Sequence, residues 1–258
     1  MGKSKEILVA KFGSSIVTND TGIDKFRIEG YAKQLAQLKK DREIDNLVVV
    51  TSGAVVAGRV RYSEMHDYAS SVDEQVLASL GSGAIYTAWG NAFEDQGILA
   101  GQLLVTHREI DSVEGDILAG ALQKNADEGV VTVTNENDLL SDEELKKLAY
   151  GGDNDGLASH IAKRIRANTL LLLTDVGGFK LNGEVQREIS ASERETLLSQ
   201  CDGIGKGKKG MAGKVEAAID AFQEPDGVRT VHIGHAGGFY EDMLSDIPDG
   251  RPGTRVVQ

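Results

Sequence analysis

Short apolar runs rich in β-branched residues alternate along this chain with longer amphipathic stretches, and no other feature of the sequence restricts the fold as strongly. Strands buried on both faces and alternating with helices are typical of a parallel sheet covered by helices on both sides. The predicted strands are Ile7–Ala10, Leu47–Thr51, Ile98–Val105, Val130–Thr134, Leu170–Thr174 and Val228–Ile233. The predicted helices are Lys25–Asp41, Gly53–Arg61, Asp73–Glu94, Asp116–Glu128, Gly152–Ala167 and Met211–Gln223. We therefore predict an α/β fold with a mainly parallel central sheet between helical layers.

The composition bounds the size and the surroundings of this fold. A chain of 258 residues, 40% of them hydrophobic, can bury one sizeable core. It contains 3 prolines and no low-complexity tract, so we predict a single domain over residues 1–258. Its one cysteine, Cys201, rules out an internal disulfide framework, and the sequence shows no signal peptide or membrane-spanning stretch. These features predict a cytoplasmic protein.

The charge of the chain restricts its partners. With 40 acidic against 28 basic residues the formal net charge is −12, which disfavours extended contact with nucleic acid or anionic lipid. We therefore expect no nucleic-acid partner and no membrane partner. An anionic ligand would have to meet a local group of lysines, and the sequence has such a group near Lys208.

Polar residues and glycines follow the predicted strands at their carboxyl ends, where open parallel sheets bind ligands. The segments concerned are Lys11–Ser15, Thr51–Ala54, Asn135–Asp138 and Thr174–Asp175. Lys11, followed closely by Gly13, suits a phosphate, although a lysine that ends a strand can equally be solvated. Ser52 and Gly53 lie at a predicted helix N-terminus, which can attract an anion or be a simple cap. The carboxylates and amides near Asp138 and Asp155 can cap helices or hold a polar substrate, and no EF-hand spacing predicts a metal site.

The segment Gly205–Lys214 combines four lysines with four glycines immediately before a predicted helix. This composition indicates either an electropositive phosphate clamp or a solvated flexible loop. The segment matches the G-x-G-x-x-G pattern, but no apolar strand precedes it, so the context of a dinucleotide site is missing. It also fails the pattern of a P-loop, because Val215 follows Lys214 where serine or threonine is required.

Taken in order, these segments resemble the amino acid kinase family and, within it, the branch that phosphorylates glutamate. The matching strings are Lys11–Ser15, Thr51–Arg59, Asn135–Asp138, Gly152–Asp155, Leu172–Asp175 and Gly210–Lys214. The resemblance implies a three-layer αβα sandwich and the ATP-dependent phosphorylation of the side-chain carboxylate of L-glutamate, the step that opens proline biosynthesis. It also implies Mg²⁺, held mainly through the nucleotide phosphates rather than by protein ligands.

The resemblance further assigns roles to individual residues. The catalytic residues would be Lys11 and Lys214, which embrace the transferring phosphoryl group, and Asp155, which orients them. The residues that hold the amino acid would be Ser52, Gly53, Asn135, Asp138 and Asn154. The nucleotide site would be formed by Lys11, Thr174, Asp175, Lys208, Lys209, Gly210, Met211, Ala212, Gly213 and Lys214. The amino acid would bind about residues 1–168 and ATP about residues 169–258.

Other expectations concern regulation, assembly and alternatives. The family's glycine-rich loop usually reads Gly-Thr-Gly-Gly-Met, and lysines replace two of these residues at 208 and 209. The resemblance implies proline as a feedback inhibitor, and no RNA-binding-like domain is expected at the C-terminus. We also expect a homo-oligomer, and the apolar stripe of the helix Asp73–Glu94 indicates either its contact surface or ordinary core packing. Two alternatives remain open: a related kinase acting on another carboxylate, on carbamate or on a nucleoside monophosphate, and an inactive nucleotide-binding sensor.

Overall fold

The computed structural model describes residues 5–66, 71–110, 112, 114–140, 154–201, 210–222, 228–237, 239 and 253–257. Within these residues one large sheet of eight strands is accompanied by two short hairpins. In chain order the strands are β1 (Ile7–Phe12), β2 (Thr18–Asn19), β3 (Gly22–Ile23), β4 (Asn46–Thr51), β5 (Ala100–Val105), β6 (Val131–Glu136), β7 (Thr169–Thr174), β8 (Lys180–Leu181), β9 (Glu184–Val185), β10 (Glu188–Ser190), β11 (Thr230–His235) and β12 (Thr254–Val257).

The large sheet has the strand order β10-β12-β11-β7-β1-β4-β6-β5. Neighbouring strands run parallel throughout, except for the antiparallel pair β11 and β12. β1 therefore lies between β7 and β4 in the middle of the sheet. The prediction of a mainly parallel central sheet is confirmed.

Helices connect most of these strands. In chain order they are α1 (Ser14–Val17), α2 (Lys25–Asp41), α3 (Ala54–Ser63), α4 (Glu74–Glu94), α5 (His107–Ile110), α6 (Glu114–Asp127), α7 (Asn154–Arg164), a 3₁₀ turn (Ala191–Glu193), α8 (Arg194–Gln200) and α9 (Gly210–Asp220). Two of the long helices begin with an aspartate cap, because Asp24 accepts from the amide of Arg27 and Asp73 from that of Gln75. None of the described helices combines the length and the apolar character needed to cross a bilayer.

Apolar side chains leave the sheet in two directions and form two core layers. Val9 of β1 belongs to one layer, which is shared with Leu157 of α7 and Val215 of α9. Phe12 of the same strand belongs to the opposite layer, which includes Trp89 of α4 and residues of α2. Successive side chains of a strand point to opposite faces of the sheet, so the two layers lie on opposite sides. Since each layer contains helical residues, helices cover both sides of the sheet. The predicted three-layer sandwich is confirmed.

Several element bounds differ from those predicted. β1 continues to Phe12 and β6 to Glu136, so that Lys11 and Asn135 lie inside strands rather than beyond them. The backbone ladder causes this extension, since Lys11 is still in register with Val50 of β4 after the apolar run has ended. Strand β11 starts two residues later than predicted, and β5 also starts late. Hydrophobicity marks the buried centre of a strand, whereas hydrogen bonding decides its ends.

Candidate active site

Four neighbouring parallel strands, β7, β1, β4 and β6, bring polar residues to one edge of the sheet. Lys11 is the second-last residue of β1, Thr174 ends β7, and Asn135 lies near the end of β6. Ser52 and Gly53 connect β4 to α3 at the same edge. The carboxyl ends of parallel strands share an edge, so residues far apart in the sequence meet there.

A buried ion-pair triad forms the centre of this edge. Asp155, in the first turn of α7, places its Oδ1 atom 2.6 Å from Nζ of Lys11. Its Oδ2 atom lies 2.7 Å from Nζ of Lys214, which belongs to α9. The side chains of Lys11, Asp155 and Lys214 are exposed by only 4%, 2% and 12%. One carboxylate therefore holds two ammonium groups beside each other with little access for water.

The electrostatics of the triad favour its charged form. Burial alone would raise the pKa of Asp155, but the positive charges of Lys11 and Lys214 outweigh burial and lower that pKa to about 2. At neutral pH the carboxylate is ionised, and with both lysines protonated the triad carries one surplus positive charge. A surplus positive charge at the end of a sheet, in a chain with net charge −12, forms a local site for an anion.

Asn154, the residue before Asp155, ties two strand ends together. Its amide nitrogen lies 3.1 Å from the carbonyl oxygen of Thr51, 2.8 Å from Oγ of Ser52 and 3.0 Å from Oδ1 of Asn135. Its Oδ1 atom is buried and lacks a hydrogen-bond partner within the described part of the chain. A buried acceptor of this kind is suited to a donor brought by a ligand.

The N-terminus of α3 faces the same edge. Gly53 has φ of +98°, and a Cβ atom at this position would come within 2.8 Å of Thr18 Cγ2, so both conformation and space favour glycine. α3 then begins at Ala54 without a hydrogen bond from a capping side chain. The first N–H groups of a helix have no partner within the helix, so those of α3 are suited to a ligand or water. The predicted helix start next to Ser52 is confirmed.

Beyond the triad, the described residues of the predicted nucleotide site lie at the end of β7 and at the start of α9. Thr174 is buried at the end of β7 and its hydroxyl lies 3.0 Å from Oδ1 of Asp175. Gly210 begins α9 with φ of +46°. Met211 and Ala212 are partly buried against the core, and Gly213 is fully covered. Lys208 and Lys209 lie outside the described residues.

The structure thus brings together the residues of the triad and, beside them, Asn154, Ser52 and Asn135. Asp138 is half-buried in the turn that follows β6. The predicted functions of all these residues stay predictions, because geometry places side chains without assigning their ligands.

Two further polar residues of this edge were not among the predicted site residues. Thr51 offers its carbonyl to Asn154, and Glu136, the last residue of β6, is buried. Thr51 follows the apolar run of β4, and Glu136 follows the alternating valines and threonines of β6, so the sequence did mark both as polar strand ends. Among the described residues no group of three His, Cys, Asp or Glu side chains could hold a metal ion.

The sequence is similar to known proteins. Residues 6–235 match the amino acid kinase family. The chain is 32% identical to the glutamate 5-kinase of Aliivibrio salmonicida, with all of this chain and 70% of that protein covered. It is 33% identical to the glutamate 5-kinase of Photorhabdus laumondii, with 99% of this chain and 69% of that protein covered.

Solved structures share the fold at lower identity. Carbamate kinase from Giardia lamblia bound to AMP-PNP superposes with a TM-score of 0.69 at 15% identity, covering 98% of this chain and 99% of that one. At this identity the likeness extends to the fold alone.

Proposed function

Because the chain belongs to the amino acid kinase family, with residues 6–235 matching it, we propose that it transfers the terminal phosphoryl group of ATP to the side-chain carboxylate of L-glutamate. The product is glutamyl 5-phosphate, the first intermediate of proline biosynthesis. The observation that carries this proposal is the buried Lys11–Asp155–Lys214 triad in a chain related over its whole length to glutamate 5-kinases.

The triad suits the chemistry of phosphoryl transfer. In the transition state negative charge spreads over the oxygens of the transferring group, and catalysis consists mainly of positioning and electrostatic stabilisation. The ammonium groups of Lys11 and Lys214 supply positive charge, and Asp155 holds their two Nζ atoms in place. The attacking carboxylate of glutamate is already ionised at neutral pH, so the reaction needs no general base.

The acceptor binds on the side of the triad formed by β4, β6 and the start of α7. Asn154 Oδ1, the buried acceptor described above, would receive a hydrogen bond from the α-ammonium group of glutamate. The carboxylate of Asp138 would add an opposite charge for the same group. Ser52, Gly53 and Asn135 would contact the remaining polar atoms of the amino acid.

The nucleotide binds on the other side, toward β7 and α9. Thr174, Asp175 and the segment ending at Lys214 would hold ATP, with Lys208 and Lys209 adding positive charge. This arrangement divides the chain at about residue 168 into an acceptor half and an ATP half. Mg²⁺ would bind with the nucleotide phosphates, whose oxygens it prefers, and would neutralise part of their charge.

Regulation and assembly belong to the same proposal. Proline would act as a feedback inhibitor by competing at the acceptor side, and the chain would work as a homo-oligomer. Carbamate and other acceptors are less well supported, because the likeness to carbamate kinase rests on 15% identity. The intact triad argues against an inactive sensor.

The test is to measure ADP release with ATP, Mg²⁺ and one acceptor at a time: L-glutamate, L-aspartate, N-acetyl-L-glutamate, carbamate or UMP. We expect release with L-glutamate and little with the others. Release with another acceptor only would retain the kinase chemistry and refute the substrate, and no release with any acceptor would refute both.

A further inference from the structure

Trp89, the only tryptophan of the sequence, lies in the C-terminal third of α4 and is fully buried. Its ring packs on Phe12 and Phe93, with centroids 4.8 Å and 6.0 Å away. Its indole N–H donates a hydrogen bond of 2.9 Å to the hydroxyl of Thr51, and this contact is buried as well. An aromatic ring can pack in the core without such a bond, so the identity of the acceptor, Thr51, indicates a further role for Trp89.

The Thr51 hydroxyl connects Trp89 to the acceptor side of the site by two hydrogen bonds. An indole N–H can only donate, so the hydroxyl must accept from Trp89 and keeps its own proton for another acceptor. That acceptor is the carbonyl oxygen of Ser52, 3.2 Å away. The indole N–H of Trp89 therefore restrains the orientation of the Thr51 hydroxyl, and that hydroxyl contacts the carbonyl oxygen of Ser52.

A second link runs through the backbone of Thr51. Its carbonyl oxygen accepts from the amide nitrogen of Asn154, which also lies 2.8 Å from Oγ of Ser52. The chain of contacts thus extends from Trp89 through Thr51 to Ser52 and Asn154, two of the residues proposed to hold the acceptor. Phe12, next to Lys11 in the sequence, is held by the same indole ring.

We propose that Trp89 is a positioning residue for the acceptor site, acting through Thr51 on Ser52 and Asn154; this inference rests on the proposed phosphorylation of glutamate. Trp89 touches no reacting atom. Its hydrogen bond sets the geometry with which the acceptor is bound, while its ring contributes to the core as any aromatic side chain would.

The test separates the hydrogen bond from the packing. Trp89→Phe keeps an aromatic ring against Phe12 and removes the donor, whereas Thr51→Val removes the hydroxyl and keeps the size of the side chain. We expect each change to raise KM for L-glutamate about fivefold, the range of one buried hydrogen bond, with kcat and KM for ATP nearly unchanged.

The double variant and two controls sharpen the result. Since both changes break the same link, Trp89→Phe combined with Thr51→Val should raise KM no further than either change alone. Thr51→Ser keeps the hydroxyl and should retain the wild-type KM. Phe93→Leu disturbs the same aromatic group without a hydrogen bond, so it should lower Tm and leave KM unchanged.

Trp89 also reports directly on the site, because it is the only indole of the chain. L-glutamate added without nucleotide should change the tryptophan emission of the wild type and change it less in Thr51→Val. If Trp89→Phe proves insoluble, the contrast between Thr51→Val and Thr51→Ser gives the same information.

An unchanged KM in Trp89→Phe and Thr51→Val, or effects that multiply in the double variant, would overturn the inference while the wild type still phosphorylates glutamate. A wild type that does not phosphorylate glutamate would overturn the proposed function, and this inference with it.

Discussion

Lys11 and Lys214 reach the same carboxylate from opposite ends of the sequence, and at the residue scale this shared ion pair explains how the site is held. Two ammonium groups placed side by side in a buried site would repel each other and lose their hydration. Asp155 offsets both costs and leaves one positive charge in surplus. Under the proposed function, this arrangement would be preorganised for the charge of a transferring phosphoryl group.

Lys214→Ala tests the catalytic part of this triad. Removing the ammonium group should lower kcat about 10³-fold, in the range known for the loss of one group that stabilises transition-state charge. KM for L-glutamate should change little, because this charge acts on the transferring group rather than on the acceptor. Steady-state rates of ADP release measure both constants.

Lys124→Ala, at an exposed position of α6, is the matched control and should behave as the wild type. A Lys214→Ala variant with normal kcat and a raised KM for glutamate would place Lys214 on the acceptor side instead.

Asp155→Asn tests the charge state of the triad through stability. The folded-state pKa of Asp155 is depressed from 3.8 to about 2, so its ionic pairing stabilises the fold fully above pH 4 and is lost as the pH falls through 2. At pH 7 the variant should lose roughly 3 kcal/mol of unfolding free energy, as is usual when one partner of a buried ion pair is removed. Urea unfolding at several pH values measures the difference.

The gap between wild type and variant should stay constant from pH 7 to pH 5 and narrow only below pH 4. A gap that already closes between pH 7 and pH 5 would show a raised rather than a depressed pKa. Asp95→Asn, at the exposed end of α4, is the control and should leave the stability nearly unchanged.

Much of this constellation could be predicted at the residue scale. Lys11, Asp155 and Lys214 each occur in a matched motif of the sequence, and the structure brings them together. The contact between Thr51 and Trp89 could not be predicted in the same way. A threonine that ends a strand and a tryptophan in an apolar helix have no sequence signal for a mutual contact, because α4 meets β4 only through tertiary packing.

At the element scale, α3 and α4 pack so closely that glycine is required at both contact points. A Cβ atom at Gly58 would lie 1.7 Å from the carbonyl oxygen of Leu77, and one at Gly81 would lie 1.9 Å from that of Ala54. Neither backbone oxygen can move independently of its helix. Since Ala54 directly follows Gly53, this contact also fixes the N-terminus of α3 beside the acceptor side.

Gly81→Ala should therefore destabilise the protein by about 3 kcal/mol, the upper part of the usual range for an overpacked core. Because the added methyl group pushes on Ala54, KM for L-glutamate should also rise. Gly83→Ala, two residues further along α4, has open space around the new methyl group and is an exposed helix position. It should stabilise the protein by about 0.5–1 kcal/mol.

Thermal unfolding and steady-state kinetics of both variants check this prediction. Equal effects of Gly81→Ala and Gly83→Ala would contradict the close packing of the two helices.

The length of an element decided whether it could be predicted from the sequence. The long helices and the buried strands of the sheet could be predicted, since both have an apolar period and α2 also has its aspartate cap. The hairpins β2–β3 and β8–β9, the edge strand β10 and its neighbour β12 were missed. They contain two to four residues each, which is too few for a period, and β10 and β12 also pair with each other across a long stretch of the sequence.

At the scale of the whole molecule, one continuous sheet positions Lys11, Asn135 and Thr174 on strands β1, β6 and β7, and helices bring Asp155 and Lys214 to the same edge. The same architecture occurs in carbamate kinase, so the fold does not determine the acceptor. We propose that a few side chains at the carboxyl edge, among them Ser52, Asp138 and Asn154, determine the choice of acceptor. The full-length similarity to glutamate 5-kinases favours glutamate, and the product of the reaction can verify it.

The most direct measurement traps that product. The protein is incubated with ATP, Mg²⁺, L-glutamate and hydroxylamine, and the hydroxamate is identified by its mass. We predict γ-glutamyl hydroxamate in an amount equal to the ADP released, with about 10³-fold slower formation by Lys214→Ala. ADP release from the wild type without any hydroxamate would contradict phosphorylation of the glutamate carboxylate.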